Sequence, residues 1–357
     1  MIKRRKTRTV SVGPLKIGSD HPVVIQSMTK VDTSDIGQVV VQIRQLEEAG
    51  CEIVRVAVKD KGDAKAISSI KKEVTVPLVA DIHFDYKLAL EAIKCGADKI
   101  RINPGNIKKT KDVEKVIDAA SDKNIPIRVG VNSGSLMEIA AGKGLSPQAM
   151  VNALLRYMEN FRKRNFDDLI ISLKSSDVSK TIEAYKKMAD ECDYPFHVGV
   201  TAAGLPEDGV IKSSIGIGAL LLDGIGDTIR VSLTGEPTSE VEIAKRILSS
   251  VGSRYFGPEI ISCPTCGRCQ VNLVPIVKNL ESELRHLTHK EPLLKEKQLL
   301  VAVMGCEVNG PGEAKGADIG IAFGRGKGVI FRRGEVVKTV KTSGSVKELL
   351  DMIKKEI

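Results

Sequence analysis

The chain has 357 residues, of which 42% are hydrophobic and only 3% aromatic, and its formal net charge is +9. This length suits one large domain and a smaller one, and the shortage of aromatic residues fits an α/β protein with aliphatic strands. There is no apolar run of about 18 residues, and no apolar segment follows the basic start MIKRRKTRTVSVG, so we expect neither a membrane-spanning helix nor a signal peptide. A cytoplasmic protein without a membrane partner is the expectation.

The surplus of positive charge is consistent with a basic surface, a nucleic-acid partner or an acidic small molecule. The Lys/Arg-rich segments KRRKTR and HKEPLLKEKQ lack the interleaved aromatic residues of a protein that binds single-stranded nucleic acid. We therefore expect no nucleic-acid partner.

From about residue 20 to residue 252, short β-branched runs alternate with amphipathic segments. The eight runs are PVVIQSM (22–28), EIVRVAV (52–58), VPLVADIH (76–83), DKIRINP (98–104), IPIRVGVN (125–132), DLIISLK (168–174), FHVGVT (196–201) and DTIRVSL (227–233). Eight strands alternating with helices predict an α/β fold, a (β/α)₈ TIM-type barrel over residues 1–254, and favour it over an open doubly wound sheet.

The segment SRYFGPEI (253–260) interrupts this alternation, and a smaller α+β domain is predicted over residues 255–357. Its predicted elements are a cysteine-rich turn, the helix LVPIVKNLESELRHL (273–287), the strand LLVAVMG (299–305), the glycine-rich loop NGPGEAKGAD (309–318), the strands IGIAFG and GVIFRRGEVVKTV, and the helix SVKELLDMIKKEI.

Cationic residues interrupt five of the otherwise apolar barrel strands, near the carboxyl ends where a barrel active site lies. They are Arg55, Arg101, Arg128, Lys174 and Arg230. Burying this many cations without counter-anions costs several kcal/mol each, and guanidinium groups match phosphate oxygens in a bidentate manner. The pattern predicts a diphosphate or bisphosphate at the barrel mouth.

Three cysteines, Cys263, Cys266 and Cys269, stand at C-x₂-C-x₂-C spacing in SCPTCGRCQ, and Cys306 follows a predicted strand. Counting thiols alone, these four could bind a structural zinc ion or an iron–sulfur cluster. The Cys-Pro pair, and a phosphate-binding barrel in which redox chemistry has a use, favour the cluster.

Eight sequence blocks form a highly specific combination across the whole chain: VVIQSMT, ADIHF, IRINPGNI, RVGVNSGS, SLKSSD, GIGDTIRVSL, CPTCGR and NGPGEAKGADIGIAFG. Together they resemble the two-domain bacterial form of the 4-hydroxy-3-methylbut-2-enyl diphosphate synthase family, which serves isoprenoid biosynthesis in the methylerythritol phosphate pathway. The resemblance implies an oxidoreductase that opens and dehydrates 2-C-methyl-D-erythritol 2,4-cyclodiphosphate, with ferredoxin or flavodoxin as electron donor.

The same resemblance implies a [4Fe–4S] cluster whose ligands are Cys263, Cys266, Cys306 and the carboxylate of Glu313, with Cys269 outside the ligand set. It implies catalytic roles for Glu313, His83 and Lys174. The implied substrate-binding residues are Arg55, His83, Arg101, Asn103, Arg128, Asn132, Lys174, Arg230 and Ser232.

The resemblance also implies a head-to-tail homodimer in which each cluster domain covers the barrel of the other chain. The sequence departs from the family at one place. The family usually reads V-T-E-A-G after the seventh strand, with the glutamate near the substrate, whereas this chain reads VTAAG with Ala202 at that position.

Other classes remain open at this point. One is a zinc-stabilised, phosphate-binding barrel lyase or isomerase in which Lys174 forms a Schiff base, and another is a basic RNA-binding protein with a zinc knuckle. A radical S-adenosylmethionine enzyme shares the barrel and cluster, but its usual cysteine spacing is C-x₃-C-x₂-C.

Overall fold

The computed structural model describes residues 2–132, 146–291, 293–306 and 314–355. The chain divides into two compact units, Met1–Arg254 and Tyr255–Ile357. Within the described segments, no helix combines the length and apolar character needed to cross a membrane.

The larger unit consists of a short hairpin followed by eight parallel strands. The hairpin strands are β1 (Val10–Val12) and β2 (Leu15–Ile17), and the others are β3 (Val24–Met28), β4 (Ile53–Val58), β5 (Leu78–Ile82), β6 (Lys99–Ile102), β7 (Ile127–Asn132), β8 (Leu169–Lys174), β9 (His197–Val198) and β10 (Thr228–Ile229). Neighbours follow chain order from β3 to β8, while β10 pairs with both β3 and β9. A parallel bridge between Ile171 and Phe196 joins β8 to the segment before β9. The predicted (β/α)₈ barrel is confirmed.

In the described part of this unit, a helix follows each of the eight barrel strands. The helices are α1 (Ile36–Glu48), α2 (Lys61–Ile70), α3 (Tyr86–Lys94), α4 (Thr110–Asp122), α5 (Pro147–Arg162), α6 (Val178–Glu191), α7 (Pro206–Leu222) and α8 (Pro237–Ser250). Five of them begin after an Asp or Ser whose side chain accepts a hydrogen bond from a backbone N–H of the first turn, which satisfies a donor that the helix itself cannot. Local sequence therefore fixes where these helices begin.

The β1–β2 hairpin was not predicted, and it packs at the amino-terminal end of the barrel. Its apolar side chains form one buried cluster with residues at or near the starts of four barrel strands. The members are Val10, Val12, Ile17, Val24, Ile53, Val79 and Ile170. Apolar packing therefore fills this end of the barrel around the hairpin.

The smaller unit is a five-stranded sheet with helices. Its strands are β11 (Glu259–Ser262), β12 (Leu300–Met304), β13 (Ile319–Gly324), β14 (Lys327–Arg332) and β15 (Glu335–Lys341), and its helices are α9 (Leu273–Lys290), α10 (Leu293–Glu296) and α11 (Ser345–Lys354). The sheet order is β11-β12-β13-β14-β15, with β11 to β13 parallel and the last two pairs antiparallel. The core is mainly aliphatic, with Leu280, Leu284 and Ile353 buried together with the aromatic Phe323.

The stretch GVIFRRGEVVKTV, predicted as one strand, is a hairpin of two. Arg332 and Glu335 are paired across a two-residue turn in which Arg333 and Gly334 both have positive φ, +48° and +84°. Positive φ at both central residues matches the right-handed twist of the strands. The sequence signal was weak because Arg rather than Asn or Asp occupies the first turn position.

Candidate active site

Five cations from different strands meet inside the barrel. Arg101 on β6 and Arg128 on β7 are directly opposite each other, and only 5% and 2% of their surfaces are exposed. Lys174 ends β8 and is also buried, and Arg55 and Arg230 are largely buried. Burial lowers the pKa of Lys174 well below its ordinary value, and the charges of the four arginines lower it further. The four arginines therefore all lie within electrostatic range of Lys174.

Asp81 on β5 is the carboxylate at the centre of this group. Its oxygens lie 2.9 Å from Arg101 Nη1, 3.4 Å from Arg55 Nε and 3.7 Å from His83 Nε2. Burial would raise the pKa of Asp81, but the guanidinium groups of Arg101 and Arg55 outweigh it and hold that pKa well below its usual range. Asp81 is thus an anion that holds two guanidinium groups in place.

A second carboxylate, Glu240, comes from helix α8 and was not among the residues expected from the sequence. Its oxygens lie 3.2 Å from Arg230 Nη2 and 3.0 Å from Lys30 Nζ, and it accepts a hydrogen bond from Ser27 Oγ at 3.1 Å. Only 1% of its surface is exposed. Arg230 therefore has a counter-anion within the chain, which its sequence neighbours do not supply.

Arg128 and Lys174 contact no carboxylate in the described part of the chain. One terminal nitrogen of Arg128 lies 3.4 Å from Ser172 Oγ, while its Nε and other terminal nitrogen are buried without a described hydrogen-bond partner. Burial, followed by the charges of Arg55 and Arg101, lowers the pKa of Arg128. A Cβ on Gly199 would lie 2.9 Å from Lys174 Nζ and 2.4 Å from the Arg230 carbonyl oxygen, so glycine is required beside Lys174.

Four further polar side chains, Gln26, Lys99, His197 and Thr228, are buried in the interior. Lys99, the first residue of β6, is fully buried with its Nζ 3.5 Å from Gln26 Oε1, and burial lowers its pKa well below the ordinary value, as do Arg128 and Arg55. His197 Nδ1 lies 2.7 Å from Thr228 Oγ1, and its Nε2 is buried without a described partner. Lys99 could have been selected from the sequence. It stands two residues before Arg101 and four before Asn103, and residues two apart in a strand point to the same face.

The remaining residues expected from the sequence lie around the rim. Asn103 is buried after β6, where its Oδ1 accepts a hydrogen bond from the Gly105 N–H at 2.9 Å. Asn132 ends β7 and is partly exposed, and Ser232 Oγ lies 2.9 Å from Arg230 Nη1. His83 follows β5 with half of its side chain exposed.

In the smaller unit, cysteines gather where two neighbouring parallel strands end. Cys263 follows β11 and Cys306 follows β12, and the Gly305 N–H donates a hydrogen bond to Cys263 Sγ at 3.2 Å. A Cβ on Gly305 would lie 2.3 Å from Cys269 Sγ and 3.4 Å from Cys263 Sγ. Cys266 is exposed on the intervening turn. The strand ends thus bring four thiols into one region.

These thiols are chemically suited to an iron–sulfur cluster, since they are reduced, lie at one end of the sheet and receive a backbone N–H donor. Glu313, the expected fourth ligand, lies outside the described residues. Among the residues that are described, no three His, Cys, Asp or Glu side chains are arranged to hold a single metal ion.

Ala202, at the position where the family usually has glutamate, follows β9 and is exposed. Its φ is +50°, a left-handed conformation that is uncommon for a residue with a side chain and is often found at functional sites. The backbone at Ala202 is therefore held in an uncommon geometry.

Comparison with family models matches both units. A model described as the GcpE TIM-barrel domain matches residues 7–245, and one described as the GcpE protein C-terminal domain matches residues 259–355. Two similar proteins, from Thermodesulfovibrio yellowstonii and Caldanaerobacter subterraneus subsp. tengcongensis, are 54% and 51% identical to this chain. The alignments cover 99% and 100% of this chain and 100% and 99% of those proteins, and both are named 4-hydroxy-3-methylbut-2-en-1-yl diphosphate synthase (flavodoxin).

Solved structures share the barrel at low sequence identity. Dihydropteroate synthase from Stenotrophomonas maltophilia has a TM-score of 0.52 at 15% identity, covering 69% of this chain and 98% of that one. Type I 3-dehydroquinate dehydratase from Clostridium difficile has a TM-score of 0.52 at 14% identity, covering 69% and 99%. Identities this low support a shared fold and carry nothing about activity.

Proposed function

The chain belongs to the GcpE family, and on that premise we propose how its residues carry out the reaction of a flavodoxin-dependent 4-hydroxy-3-methylbut-2-en-1-yl diphosphate synthase. The enzyme is an oxidoreductase of isoprenoid biosynthesis that converts 2-C-methyl-D-erythritol 2,4-cyclodiphosphate into 4-hydroxy-3-methylbut-2-enyl diphosphate. The reaction consumes two electrons and two protons and releases one water. The resemblance drawn from the sequence blocks is confirmed, and the zinc-lyase and RNA-binding alternatives are not favoured.

The observation that carries the proposed site is the imbalance of charge inside the barrel. Seven basic side chains lie around two carboxylates, Asp81 and Glu240. They are Lys30, Arg55, Lys99, Arg101, Arg128, Lys174 and Arg230. A bound diphosphate would supply the missing negative charge, and its oxygens would accept hydrogen bonds from the two Arg128 nitrogens that otherwise lack described partners.

The cations stabilise the negative charge that develops when the carbon–oxygen bond to the diphosphate breaks. When the ring opens, a diphosphate oxygen leaves carbon and gains negative charge, which preorganised donors stabilise more strongly than they stabilise the closed ring. Asp81 fixes Arg55 and Arg101 before substrate arrives, so little reorganisation is needed. Lys174, at the end of β8, would place its Nζ against the diphosphate oxygens, whose negative charge favours the protonated ammonium form.

The rim residues bind and orient the rest of the substrate. Asn103, Asn132 and Ser232 present amide and hydroxyl groups that suit the sugar hydroxyls and phosphate oxygens. His83, close to Asp81 and half-exposed, contacts the substrate from the open side of the barrel.

The family implies an iron–sulfur cluster, and the thiol region fits one. Cys263, Cys266 and Cys306, with Glu313, would hold a [4Fe–4S] cluster. When bound, the cluster supplies single electrons and a Lewis-acidic iron to the substrate. Glu313 is the exchangeable ligand in this set, because a carboxylate is a harder and weaker ligand for this iron than a thiolate.

Anaerobic purification and assay test the function directly. The protein should be brown, contain about four irons per chain, and convert the cyclodiphosphate to the linear diphosphate with dithionite or reduced flavodoxin as electron source. A colourless zinc protein that leaves the cyclodiphosphate intact would overturn the proposal.

A head-to-tail homodimer is part of the proposal. Arg254 Nη1 contacts the Val23 carbonyl oxygen at 2.6 Å and the Glu52 carboxylate at 2.7 Å, so the chain leaves the barrel beside the starts of β3 and β4. Residues 255–258 then lead to β11. The barrel unit therefore ends on the side opposite its mouth, and the head-to-tail arrangement itself is what membership of the family implies.

Subunit mixing tests this arrangement. Arg128→Ala disables the barrel and Cys306→Ala disables the thiol region, so each homodimer should be inactive. Random reassociation of equal amounts makes half of the dimers mixed. In each mixed dimer one intact barrel meets one intact thiol region, so one of two active sites works, and up to about a quarter of wild-type activity should return. Activity that stays at the level of the separate variants would exclude the shared site.

Ala202→Glu tests the one departure from the family. A carboxylic acid at this exposed position beside the barrel mouth should raise turnover at least about tenfold by supplying a general acid or hydrogen-bond donor. Ala202→Gln is the matched control, since it adds similar volume without an acidic proton and should leave turnover near that of the unmodified chain. Equal rates for the two variants would show that an acid here is not used.

A further inference from the structure

The cysteine-bearing end of the smaller sheet also carries a row of basic side chains. Met304 pairs with Ala322, so the β13–β14 turn that contains Arg325 lies beside Gly305 at the end of β12. Lys327 begins β14 and pairs directly with Lys341 at the end of β15. Adjacent strands are about 5 Å apart, so these residues extend in one row away from the thiols. Arg268 stands between Cys266 and Cys269 on the cysteine turn.

We define Arg268, Arg325, Lys327 and Lys341 as the basic row. All four are exposed. The described segments that form this end of the sheet contain no Asp or Glu: they are residues 261–275, 302–306, 322–329 and 339–347. The local field of the described residues is therefore uniformly positive.

None of the four side chains forms an ion pair within the described part of the chain, whereas Lys338 on the same strand as Lys341 is paired with Glu348 at 2.6 Å. The direct pairing of Lys327 with Lys341 is also unfavourable, because like charges opposite each other destabilise a sheet. The pair therefore places two exposed like charges side by side at the end of the sheet that also carries the cysteines.

We propose that the basic row is the docking surface for the electron carrier, a flavodoxin-type protein whose docking face is rich in carboxylates. This inference rests on the proposed function, which requires electrons to reach the thiol region. Exposed, unpaired cations around the point of electron entry attract an acidic carrier and speed its association. The names of the similar proteins specify flavodoxin as their electron donor.

The test compares two double variants with the same change of charge. Arg325→Glu with Lys341→Glu reverses the basic row, whereas Lys290→Glu with Arg333→Glu reverses two exposed cations at the opposite end of the unit. At low ionic strength the first should lower kcat/KM for reduced flavodoxin about tenfold or more, and the second should change it little. The difference should shrink as added salt screens the charges.

Two further measurements separate docking from chemistry. Turnover driven by dithionite, which needs no docking surface, should be unchanged in Arg325→Glu/Lys341→Glu. Binding of oxidised flavodoxin to the cluster-loaded protein, measured by calorimetry, should weaken in the same variant and not in its control.

Lys341→Glu alone should raise Tm, because it replaces a repulsive cross-strand pair with an attractive one.

An equal loss with dithionite and with flavodoxin would overturn the inference, because the cations would then act on the substrate or the thiol region. Unchanged flavodoxin kinetics and binding would also overturn it. If the unmodified enzyme shows no turnover with dithionite, the proposed function fails, and the binding measurement still decides whether the basic row docks the carrier.

Discussion

Arg128→Met should abolish most activity and at the same time raise Tm. Arg128 is buried against two other arginines and has no carboxylate partner in the described part of the chain. Removing it takes away a diphosphate donor, and kcat/KM for the cyclodiphosphate should fall by about 10²–10³-fold. Removing an uncompensated buried cation should raise the free energy of unfolding by on the order of 1–4 kcal/mol. Anaerobic kinetics and thermal unfolding measure the two effects.

Arg101→Met is the matched control, with the opposite effect on stability. Arg101 holds Asp81 at 2.9 Å, so its loss weakens the compensation of a buried carboxylate and should lower the free energy of unfolding by about 3–5 kcal/mol. Both variants should lose activity. If Arg128→Met were destabilised as much as Arg101→Met, the barrel would not hold a surplus of cations, and the charge argument for a diphosphate site would fail.

Single substitutions of the cysteines should divide them into two classes. Cys263→Ala, Cys266→Ala and Cys306→Ala should each lose most of the bound iron and lower turnover by at least about 10³-fold, because each removes a thiolate that the cluster needs. Cys269→Ala should keep its iron, its visible spectrum and its turnover. Iron analysis, absorbance and electron paramagnetic resonance of anaerobically purified protein measure the outcome.

The contacts of Cys269 explain its expected tolerance. Its Sγ lies 3.2 Å from the Val271 carbonyl oxygen, and the side chain packs against the aliphatic core of the smaller unit. Alanine keeps most of that packing, so a small loss of Tm is the main cost. Loss of iron from Cys269→Ala, with normal iron content in a Glu313→Ala variant, would replace the carboxylate by the fourth thiol in the proposed ligand set.

Sequence patterns were reliable where the determining interaction is local. The alternation of β-branched runs with amphipathic segments predicted the barrel because the strands lie in apolar runs and most of the helices carry their own periodicity. The β1–β2 hairpin was missed because two three-residue strands are too short to show a period. The break between Arg332 and Glu335 was missed because an Arg-Gly turn is a weaker signal than Asn-Gly.

Site residues divide in the same way. Arg55, Arg101, Arg128, Lys174 and Arg230 could be selected because a cation within an apolar strand is conspicuous. Glu240 could not, since it lies on an ordinary amphipathic helix and reaches Arg230 only when α8 packs against the barrel. Lys99 carries the same alternation as Arg101, but it stands at the start of its strand, away from the carboxyl end where active-site residues are sought.

By itself, the sequence determined the class of fold and the kinds of chemistry present: a barrel with cations on its strands, and thiols at metal-binding spacing. Which cations are compensated was decided only by the tertiary structure. Strand register places Asp81 against Arg55 and Arg101, and helix packing gives Glu240 to Arg230, while Arg128 contacts neither carboxylate and interacts with Asp81 only at longer range. The physical reason is that charge compensation depends on distance and burial, which are set by contacts between residues far apart in the chain.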